Sequence, residues 1–250
     1  MNLETVTGMV LSAMPIGEYD KRLVILTKER GRISAFAKGA RRTNNALMAC
    51  SQPFAFGQFT LYQGRNSYTV NQAEIENYFE GIKTELTKIT YASYFCELAA
   101  FLTYENVEAV GILKLLYQSF KALNYEKLPN DLIRYVFEIK AMVFNGEMPQ
   151  VYECVKCRKK WSDEKEGIRA FSSKYGGILC RDCEGFAPDL LMISPTAIYT
   201  LQFIVSTPVE KLFTFLLKEE ALQELKRITR QYMACYANGT FHSLEMLELL

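Results

Sequence analysis

Four of the seven cysteines stand in two CxxC pairs. Cys154 and Cys157 form the first pair, Cys180 and Cys183 form the second, and 22 residues separate them. A tetrahedral zinc ion is held by four thiolates at about 2.3 Å, and each CxxC turn can supply two sulfurs to one side of the metal. The spacing therefore predicts one structural zinc ion per chain, on a short β-ribbon that turns at residues 176–177.

Two other interpretations of these cysteines are less well supported. A thioredoxin-like redox pair needs only one CxxC, and neither pair follows a strand in a βαβ pattern. A catalytic zinc ion keeps one coordination position open, which four thiolates do not leave. The other three cysteines, Cys50, Cys96 and Cys235, are interpreted as small buried hydrophobic side chains. An odd number of cysteines without an export signal also favours reduced thiols over disulfides.

Positive charge is concentrated between Lys21 and Tyr68. This window contains nine basic side chains and one acidic side chain, Glu29, so its charge is nine minus one, or +8. The whole chain has a net charge of +1, and the remainder is therefore −7. A local excess of this size is typical of a surface that binds a phosphate backbone. The alternative is a solvated basic face without a ligand.

The centre of the window is the stretch RISAFAKGARRTNNAL, residues 32–47. If its first part is a strand, alternation divides the side chains between two faces. The predicted inner face is small and apolar, with Ile33, Ala35 and Ala37. The predicted outer face carries Arg32, Ser34, Phe36 and Lys38. Cations beside an aromatic ring that can stack on a base fit single-stranded nucleic acid, although Phe36 could instead pack in the interior.

The loop after this strand contains Arg41 and Arg42, which have little to pack against and are the strongest predictions for phosphate contact. The stretch AKGARR lacks the GxxxxGK[ST] frame of a nucleotide-binding P-loop. The predicted DNA-binding residues are Arg32, Phe36, Lys38, Arg41, Arg42, Lys21, Arg22 and Arg65.

No recognised catalytic motif is present in the sequence. The single histidine, His242, has no acid or nucleophile placed beside it by a motif, and GxSxG, HExxH and P-loop patterns are missing. The sequence therefore predicts a protein that is not an enzyme and has no small-molecule substrate. A zinc-ribbon nucleic-acid enzyme, such as a nuclease or glycosylase, is the alternative.

Two kinds of element must position these residues. Short segments rich in β-branched and aromatic residues predict strands at 5–13, 22–27, 32–38, 56–62 and 68–75, with turns at 15–17, 29–31 and 63–66. Five short strands in about 75 residues favour a small closed barrel, with an OB-fold as the leading candidate.

Beyond residue 81 the apolar period changes to that of amphipathic helices, at 110–123 and 132–144. The second has predicted caps at Pro129-Asn130 and Asn145-Gly146. Further helix starts are predicted at Ser194-Pro195 and, as a capping box, at 207–210, and a last helix is predicted at about 220–237. The fold class is α+β and multidomain, with an OB-fold at 1–80 and a helical domain at 81–250 that carries the zinc ribbon at about 151–187. With no 18-residue apolar stretch and no signal peptide, we expect a cytoplasmic protein without membrane contact.

The order of barrel, basic strand end, helices and four-cysteine insert resembles the RecO family of bacterial recombination mediators and DNA repair proteins. The resemblance covers essentially the full length. It is most specific in LTKERGRISAFAKGARR (26–42), PFAFGQFTLYQGR (53–65) and the CVKC and CRDC pairs.

The resemblance implies an amino-terminal OB-fold, a helical carboxyl-terminal domain and, in many members, a zinc site. It also implies binding of single- and double-stranded DNA, annealing of complementary strands, and action with RecR to help RecA load onto strands coated by single-stranded-DNA-binding protein. The acidic carboxyl-terminal tail of that protein is expected to bind the helical domain, and the chain is expected at the nucleoid. The sequence leaves open the oligomeric state, the RecR surface and the pocket for the tail.

Overall fold

The structure is a computed structural model that describes residues 3–65, 67–125, 127–161 and 168–249. The chain divides into two compact units. Unit 1 consists of residues 1–125 and the carboxyl-terminal segment 241–250, and unit 2 consists of residues 126–240. Among the described residues, no helix is both long enough and apolar enough to cross a membrane.

Unit 1 begins with a five-stranded barrel. Its elements, in chain order, are β1 (Leu3–Ile16), β2 (Asp20–Thr27), β3 (Gly31–Ala37), α1 (Leu47–Cys50), β4 (Phe56–Gln63) and β5 (Tyr68–Asn77). The sheet closes in the order β1-β2-β3-β5-β4, with β1 paired to β4, and only the β3–β5 pair is parallel. This closed order is the strand order of the five-stranded Greek-key barrel of OB-folds, so the predicted barrel and its five strands are confirmed.

Alternation along β3 explains the barrel core. Ile33, Ala35 and Ala37 are buried in the interior, and Arg32 and Phe36 between them are half-buried on the outer face. The inner cluster also contains Val10, Leu23, Ile25, Phe59, Leu61 and Val70. Small side chains from β3 and large ones from β4 share this interior, as the limited width of a small barrel requires.

Three helices complete unit 1. These are α2 (Leu86–Leu102), α3 (Val110–Asn124) and a short helix near the carboxyl end of the chain, which is described below. The aromatic rings of Phe54 and Phe79 pack edge-on against Phe120 of α3, at centroid distances of 5.3 and 5.2 Å. The prediction of a helix at 110–123 is confirmed.

The helix α2 was not among the predicted elements. Its buried residues include Thr90, Tyr91, Ala92, Phe95 and Leu98, which lie on all sides of the helix. A helix that is buried all round shows no apolar stripe, so its sequence carries no helical period.

Unit 2 contains three helices and a small sheet. Its elements are α4 (Asn130–Phe144), β6 (Ile168–Ser172), β7 (Gly177–Cys180), β8 (Leu190–Met192), α5 (Pro195–Ser206) and α6 (Glu219–Tyr236). The sheet has the order β7-β6-β8. The chain then enters α7 (His242–Leu247), which belongs to unit 1 and packs on α2.

The helix ends of unit 2 agree with the sequence at two sites. The hydroxyl of Ser194 accepts a hydrogen bond from the Ala197 N–H at 3.2 Å, with Pro195 in the first helical position. Helix α4 ends in a Schellman motif, in which the N–H of Gly146 donates to Val143 and that of Glu147 donates to Met142.

Two predicted caps are wrong. Asn130 is the first residue of α4 and not its cap, and Pro129 at the cap position makes no side-chain hydrogen bond. The predicted capping box at 207–210 leads only to a 3-10 turn, Val209–Lys211, and the next helix begins at Glu219. Thr207 instead ends α5, where its N–H donates to Phe203 and its carbonyl accepts from Lys140. The backbone of Thr207 therefore completes α5 and does not start a new helix.

The predicted β-ribbon between the cysteine pairs is present as a hairpin of β6 and β7 that turns at Gly176, with β8 as a third strand. Gly176 has φ +72°, a conformation that glycine adopts without strain. Residues 162–167 of the predicted ribbon and Asn66 of the predicted turn at 63–66 lie outside the described residues.

Candidate nucleic-acid surface and metal cluster

The exposed side chains at one end of the barrel form the first candidate site. The strand register shows which loops meet there: Ile16 pairs with Asp20, Lys21 with Ala37, and Ala35 with Tyr68. The β1–β2 turn, the loop after β3 and the β4–β5 loop therefore lie at the same end. In OB-folds, the face of β2 and β3 and the loops β1–β2 and β4–β5 bind oligonucleotides.

Arg22 and Phe36 lie directly opposite each other on β2 and β3. Arg22 is exposed, and its Nε donates to the hydroxyl of Ser34 at 3.0 Å, which fixes the guanidinium on the outer face. Phe36 is half-buried on the same face, so its ring does not belong to the barrel interior. On the next strand, β1, Met14 lies directly opposite Arg22 and extends this row of side chains.

The loop after β3 carries Lys38, Arg41 and Arg42, all of them exposed. It begins at Gly39, whose φ of +67° turns the chain and whose N–H donates to the Asp20 carboxylate at 2.7 Å. The loop closes where the Asn45 N–H donates to the carbonyl of Arg42 at 3.3 Å. The three cations therefore stand on an ordered loop.

The β1–β2 turn holds this loop in place. The Arg41 N–H donates to the carbonyl of Tyr19 at 2.9 Å, and its Nη1 donates to the carbonyl of Gly17 at 3.2 Å. The Arg42 guanidinium lies over the Tyr19 ring, 4.4 Å from its centroid. A hydrogen bond to the Glu18 carboxylate raises the pKa of Tyr19. The sequence analysis did not identify Tyr19, since only the strand register brings this turn beside Arg42.

The remaining predicted residues are distributed around the barrel. Arg65 is exposed on the β4–β5 loop, at the same end as Lys38. Lys21 pairs with Ala37 and lies on the same, inner side of the sheet, and its Nζ donates to the carbonyl of Ser51 at 3.1 Å. Arg32 lies at the other end of β3, where its N–H donates to the carbonyl of Tyr104. Six residue-to-residue steps along the strand separate it from Lys38, a distance of about 20 Å. The Lys21 side chain is therefore directed to Ser51, and Arg32 lies at the opposite end of the strand from the loop after β3.

The four cysteines of the CxxC pairs form the second candidate site, in unit 2. Their Sγ atoms all lie within 4.8 Å of one another, and those of Cys157 and Cys180 are 3.5 Å apart. A zinc tetrahedron with bonds of about 2.3 Å has sulfur–sulfur edges of about 3.8 Å. The cluster therefore has the donor set and the size of a metal site.

The thiols differ in their surroundings. At Cys154, burial acts to raise the pKa, but backbone hydrogen bonds from Cys157, Cys180 and Lys156 outweigh it and lower the pKa to about 7. Burial raises the pKa of Cys183 to about 12. Four thiolates this close repel one another, so a divalent cation among them would favour the ionised form of each. Of the other cysteines, Cys50 and Cys96 are buried as predicted, but Cys235 is exposed, because it lies on the outer side of α6.

Comparison with known proteins identifies the family. A model described as Recombination protein O N terminal matches residues 1–79, and one described as Recombination protein O C terminal matches residues 83–245. The chain belongs to the RecO family.

Curated members of the RecO family match along almost their whole length. The chain is 32% identical over 240 residues to the DNA repair protein RecO of Alkaliphilus metalliredigens, covering 96% of both chains. It is 32% identical to that of Acetivibrio thermocellus over 256 residues, covering 100% of this chain and 98% of the relative. The Bacillus subtilis RecO protein is 30% identical over 241 residues, with 96% and 92% covered.

The two RecO family models meet between residues 79 and 83, whereas compactness divides the chain after residue 125. Helices α2 and α3 therefore belong to the carboxyl-terminal family model but are packed within unit 1. The functional boundary at residue 80 stays a prediction.

Proposed function

We propose that this chain is a recombination mediator in DNA repair that binds single- and double-stranded DNA and anneals complementary strands. The observation that carries the proposal is the convergence of Arg22, Phe36 and the exposed cations Lys38, Arg41 and Arg42 at the end of the barrel that OB-folds use for oligonucleotides. Membership of a family named for recombination and DNA repair supports it.

The chemistry of annealing on this surface needs no catalytic group. Two strands repel each other through their phosphates, and cations that neutralise some of them reduce that repulsion. Contacts to phosphates leave the base edges free to pair. The chain therefore acts without breaking or forming a covalent bond, and we propose that it is not an enzyme.

With RecR, the chain assists RecA to load onto single-stranded DNA coated by single-stranded-DNA-binding protein. The acidic tail of that protein binds the helical part of the chain, and the site of action is the nucleoid in the cytoplasm. These partners rest on the RecO resemblance. The zinc ion is structural and is held by Cys154, Cys157, Cys180 and Cys183, one per chain, because four thiolates fill its coordination sphere.

A strand-annealing assay tests the proposal. Two complementary fluorescent oligonucleotides are mixed with the full chain, with and without single-stranded-DNA-binding protein, and duplex formation is followed by energy transfer. We expect annealing to be faster in both cases, with every strand intact on a denaturing gel. Cleavage or base release would favour the nuclease or glycosylase alternative. Failure to bind either strand at moderate salt would contradict the proposal outright.

A further inference from the structure

A group of exposed side chains beside the cysteine cluster has no role in the function proposed above. Phe186 is 62% exposed and Tyr175 is 48% exposed, and the Tyr175 hydroxyl donates to the carbonyl of Phe186 at 3.4 Å. The ammonium of Lys156 stands over the Phe186 ring, 2.8 Å from its centroid. These three exposed residues, two aromatic and one cationic, are named here the knuckle patch.

Both cysteine pairs hold the knuckle patch. Lys156 lies inside the first pair, between Cys154 and Cys157, and Phe186 follows the second pair, with its N–H donating to the carbonyl of Cys183 at 3.3 Å. Tyr175 belongs to the β6–β7 turn, where its N–H donates to the Ser172 hydroxyl at 3.2 Å. Three separate segments therefore present the patch, and a metal ion shared by the two pairs would fix Lys156 against Phe186.

Burial does not account for these rings. Other aromatic side chains of unit 2, such as Phe171 and Tyr232, are almost completely buried and pack on each other at a centroid distance of 5.9 Å. Phe186 instead keeps most of its surface in solvent. Exposing this apolar surface is unfavourable, and no packing contact offsets it. Lys156 covers one face of the ring, and the 62% exposure of Phe186 shows that much of the remaining ring surface is in solvent.

The segment that carries the patch has a positive net charge. Residues 151–187 contain eight basic and six acidic side chains, a net charge of +2. Two of the carboxylates are already paired, Glu153 with Arg158 at 2.7 Å and Asp182 with Lys159 at 2.9 Å. The cations Lys156, Lys174 and Arg181 are exposed, and the structure gives none of them a carboxylate partner within the described part of the chain.

We propose that the knuckle patch binds unpaired bases of single-stranded nucleic acid. Exposed rings stack on base faces at about 1 to 3 kcal/mol per base, and neighbouring cations bind the phosphates. Duplex DNA hides its base faces, so the ligand is a single strand. Stacking leaves the Watson–Crick edge free, so a strand held here can still pair. This role in annealing rests on the proposed function, but binding at the patch does not depend on the barrel.

The first experiment uses the unaltered full chain. Oligothymidine that contains 5-iodouracil is irradiated with the protein, and the crosslinked peptides are identified by mass spectrometry. We expect an adduct on Tyr175 or Phe186 that unlabelled oligothymidine competes away. The inference is overturned if crosslinks form only on the barrel residues. It is also overturned if an acidic peptide binds the patch without displacing oligothymidine.

The second experiment measures affinity for oligothymidine with the variants Phe186→Ala and Phe186→Tyr. We expect about tenfold weaker binding for Phe186→Ala and near-normal binding for Phe186→Tyr, which keeps a ring that can stack. Tyr199→Ala, which removes a 65% exposed ring from α5, is the matched control and should bind normally. Equal affinity of all variants would contradict the patch.

The triple variant Lys38→Ala, Arg41→Ala and Arg42→Ala distinguishes failure of the proposed function from failure of the knuckle patch. It should keep the adduct on Tyr175 or Phe186 while its barrel contacts are lost. If the chain does not anneal strands but the adduct forms, the patch stands and the annealing function falls. Metal content equal to that of the wild type, measured on each variant, shows that the cysteine cluster is intact.

Discussion

The guanidinium of Arg42 lies 4.4 Å from the centroid of the Tyr19 ring. This contact joins the loop after β3 to the β1–β2 turn, and the Arg41 N–H adds a second link to the carbonyl of Tyr19. Because an arginine stacked on a ring keeps its N–H groups at the edge, it can still donate to phosphate oxygens. The aromatic ring therefore orients the cation that we expect to contact DNA.

We expect Tyr19→Leu to weaken DNA binding by about two- to fivefold, because an exposed cation–π contact contributes about 0.5 to 1 kcal/mol and its loss frees the guanidinium. Tyr19→Phe keeps the ring and should bind like the wild type. Fluorescence anisotropy with a labelled oligonucleotide measures both. Equal losses in the two variants would mean that the hydroxyl, and not the ring, is needed.

Replacement of Lys38, Arg41 and Arg42 by alanine should weaken binding to all DNA sequences and reduce the salt dependence. Each lost phosphate contact lowers the slope of log K against log salt by about 0.7 for a single strand. The control replaces Lys121, Lys226 and Arg227, three exposed cations on α3 and α6, with the same change in charge. An unaltered slope in the first variant would remove these residues from the DNA surface.

The cysteine cluster predicts about one zinc ion per chain by elemental analysis of the purified protein. Replacement of Cys154 and Cys180 by serine should abolish the zinc and lower the melting temperature of unit 2, since metal binding contributes directly to folding. Cys235→Ser alters an exposed thiol outside the cluster and should change neither quantity. A metal-free wild-type protein with the same melting temperature would refute a structural zinc ion.

Gly31→Ala should destabilise unit 1 more than Gly17→Ala. Both glycines have positive φ, +62° and +56°, so each alanine carries about 1 kcal/mol of backbone strain. At Gly31 the added Cβ would also overlap the carbonyl oxygens of Tyr104 and Val107, whereas at Gly17 nothing lies within 4 Å. The overlap should cost about 2 kcal/mol more in the free energy of unfolding, measured in urea. Equal losses would mean that the 104–107 segment moves away freely.

Lys140→Met should lower the free energy of unfolding of unit 2 by about 3 kcal/mol. The buried ammonium donates to the carbonyls of Ile204, Val205 and Thr207 at 2.8 to 3.0 Å, and methionine would leave these acceptors unpaired. Lys226→Met, on an exposed site of α6, is the control and should cost little. A Lys140→Met variant as stable as the wild type would show that water replaces the ammonium.

The Lys140→Met substitution should also change how the free energy of unfolding depends on pH. Burial lowers the pKa of Lys140 below its ordinary value of 10.5, so between the two values the unfolded chain binds the proton that the folded chain has lost. The wild-type free energy of unfolding therefore gains a rising contribution as pH approaches 10.5. The difference between wild type and Lys140→Met, measured from pH 8 to about pH 11, should show this rise.

Local patterns predicted those parts of the structure that local physics controls. Alternation placed Ile33, Ala35 and Ala37 inside the barrel, the Ser194-Pro195 pair marked the start of α5, and the CxxC spacing predicted the thiol cluster. In each of these cases, neighbouring residues determine the outcome.

The features that the sequence did not reveal depend on contacts between distant segments. Helix α2 is buried on all sides, and the contact between Tyr19 and Arg42 depends on the strand register. The carbonyl of Thr207 accepts a hydrogen bond from Lys140, which lies on another helix. The contact of Lys21 with Ser51 and the place of Arg32 at the far end of β3 also follow from strand register and strand length, which composition does not specify.

The return of α7 to unit 1 bears on how the chain folds as it is made. The Glu97 carboxylate accepts hydrogen bonds from the N–H and the hydroxyl of Ser243, and the Phe241 ring packs edge-on against Tyr94 at 5.7 Å. Residues 126–240 leave the ribosome before this segment does. The surface of α2 on which α7 docks therefore stays uncovered until the whole of unit 2 has been synthesised.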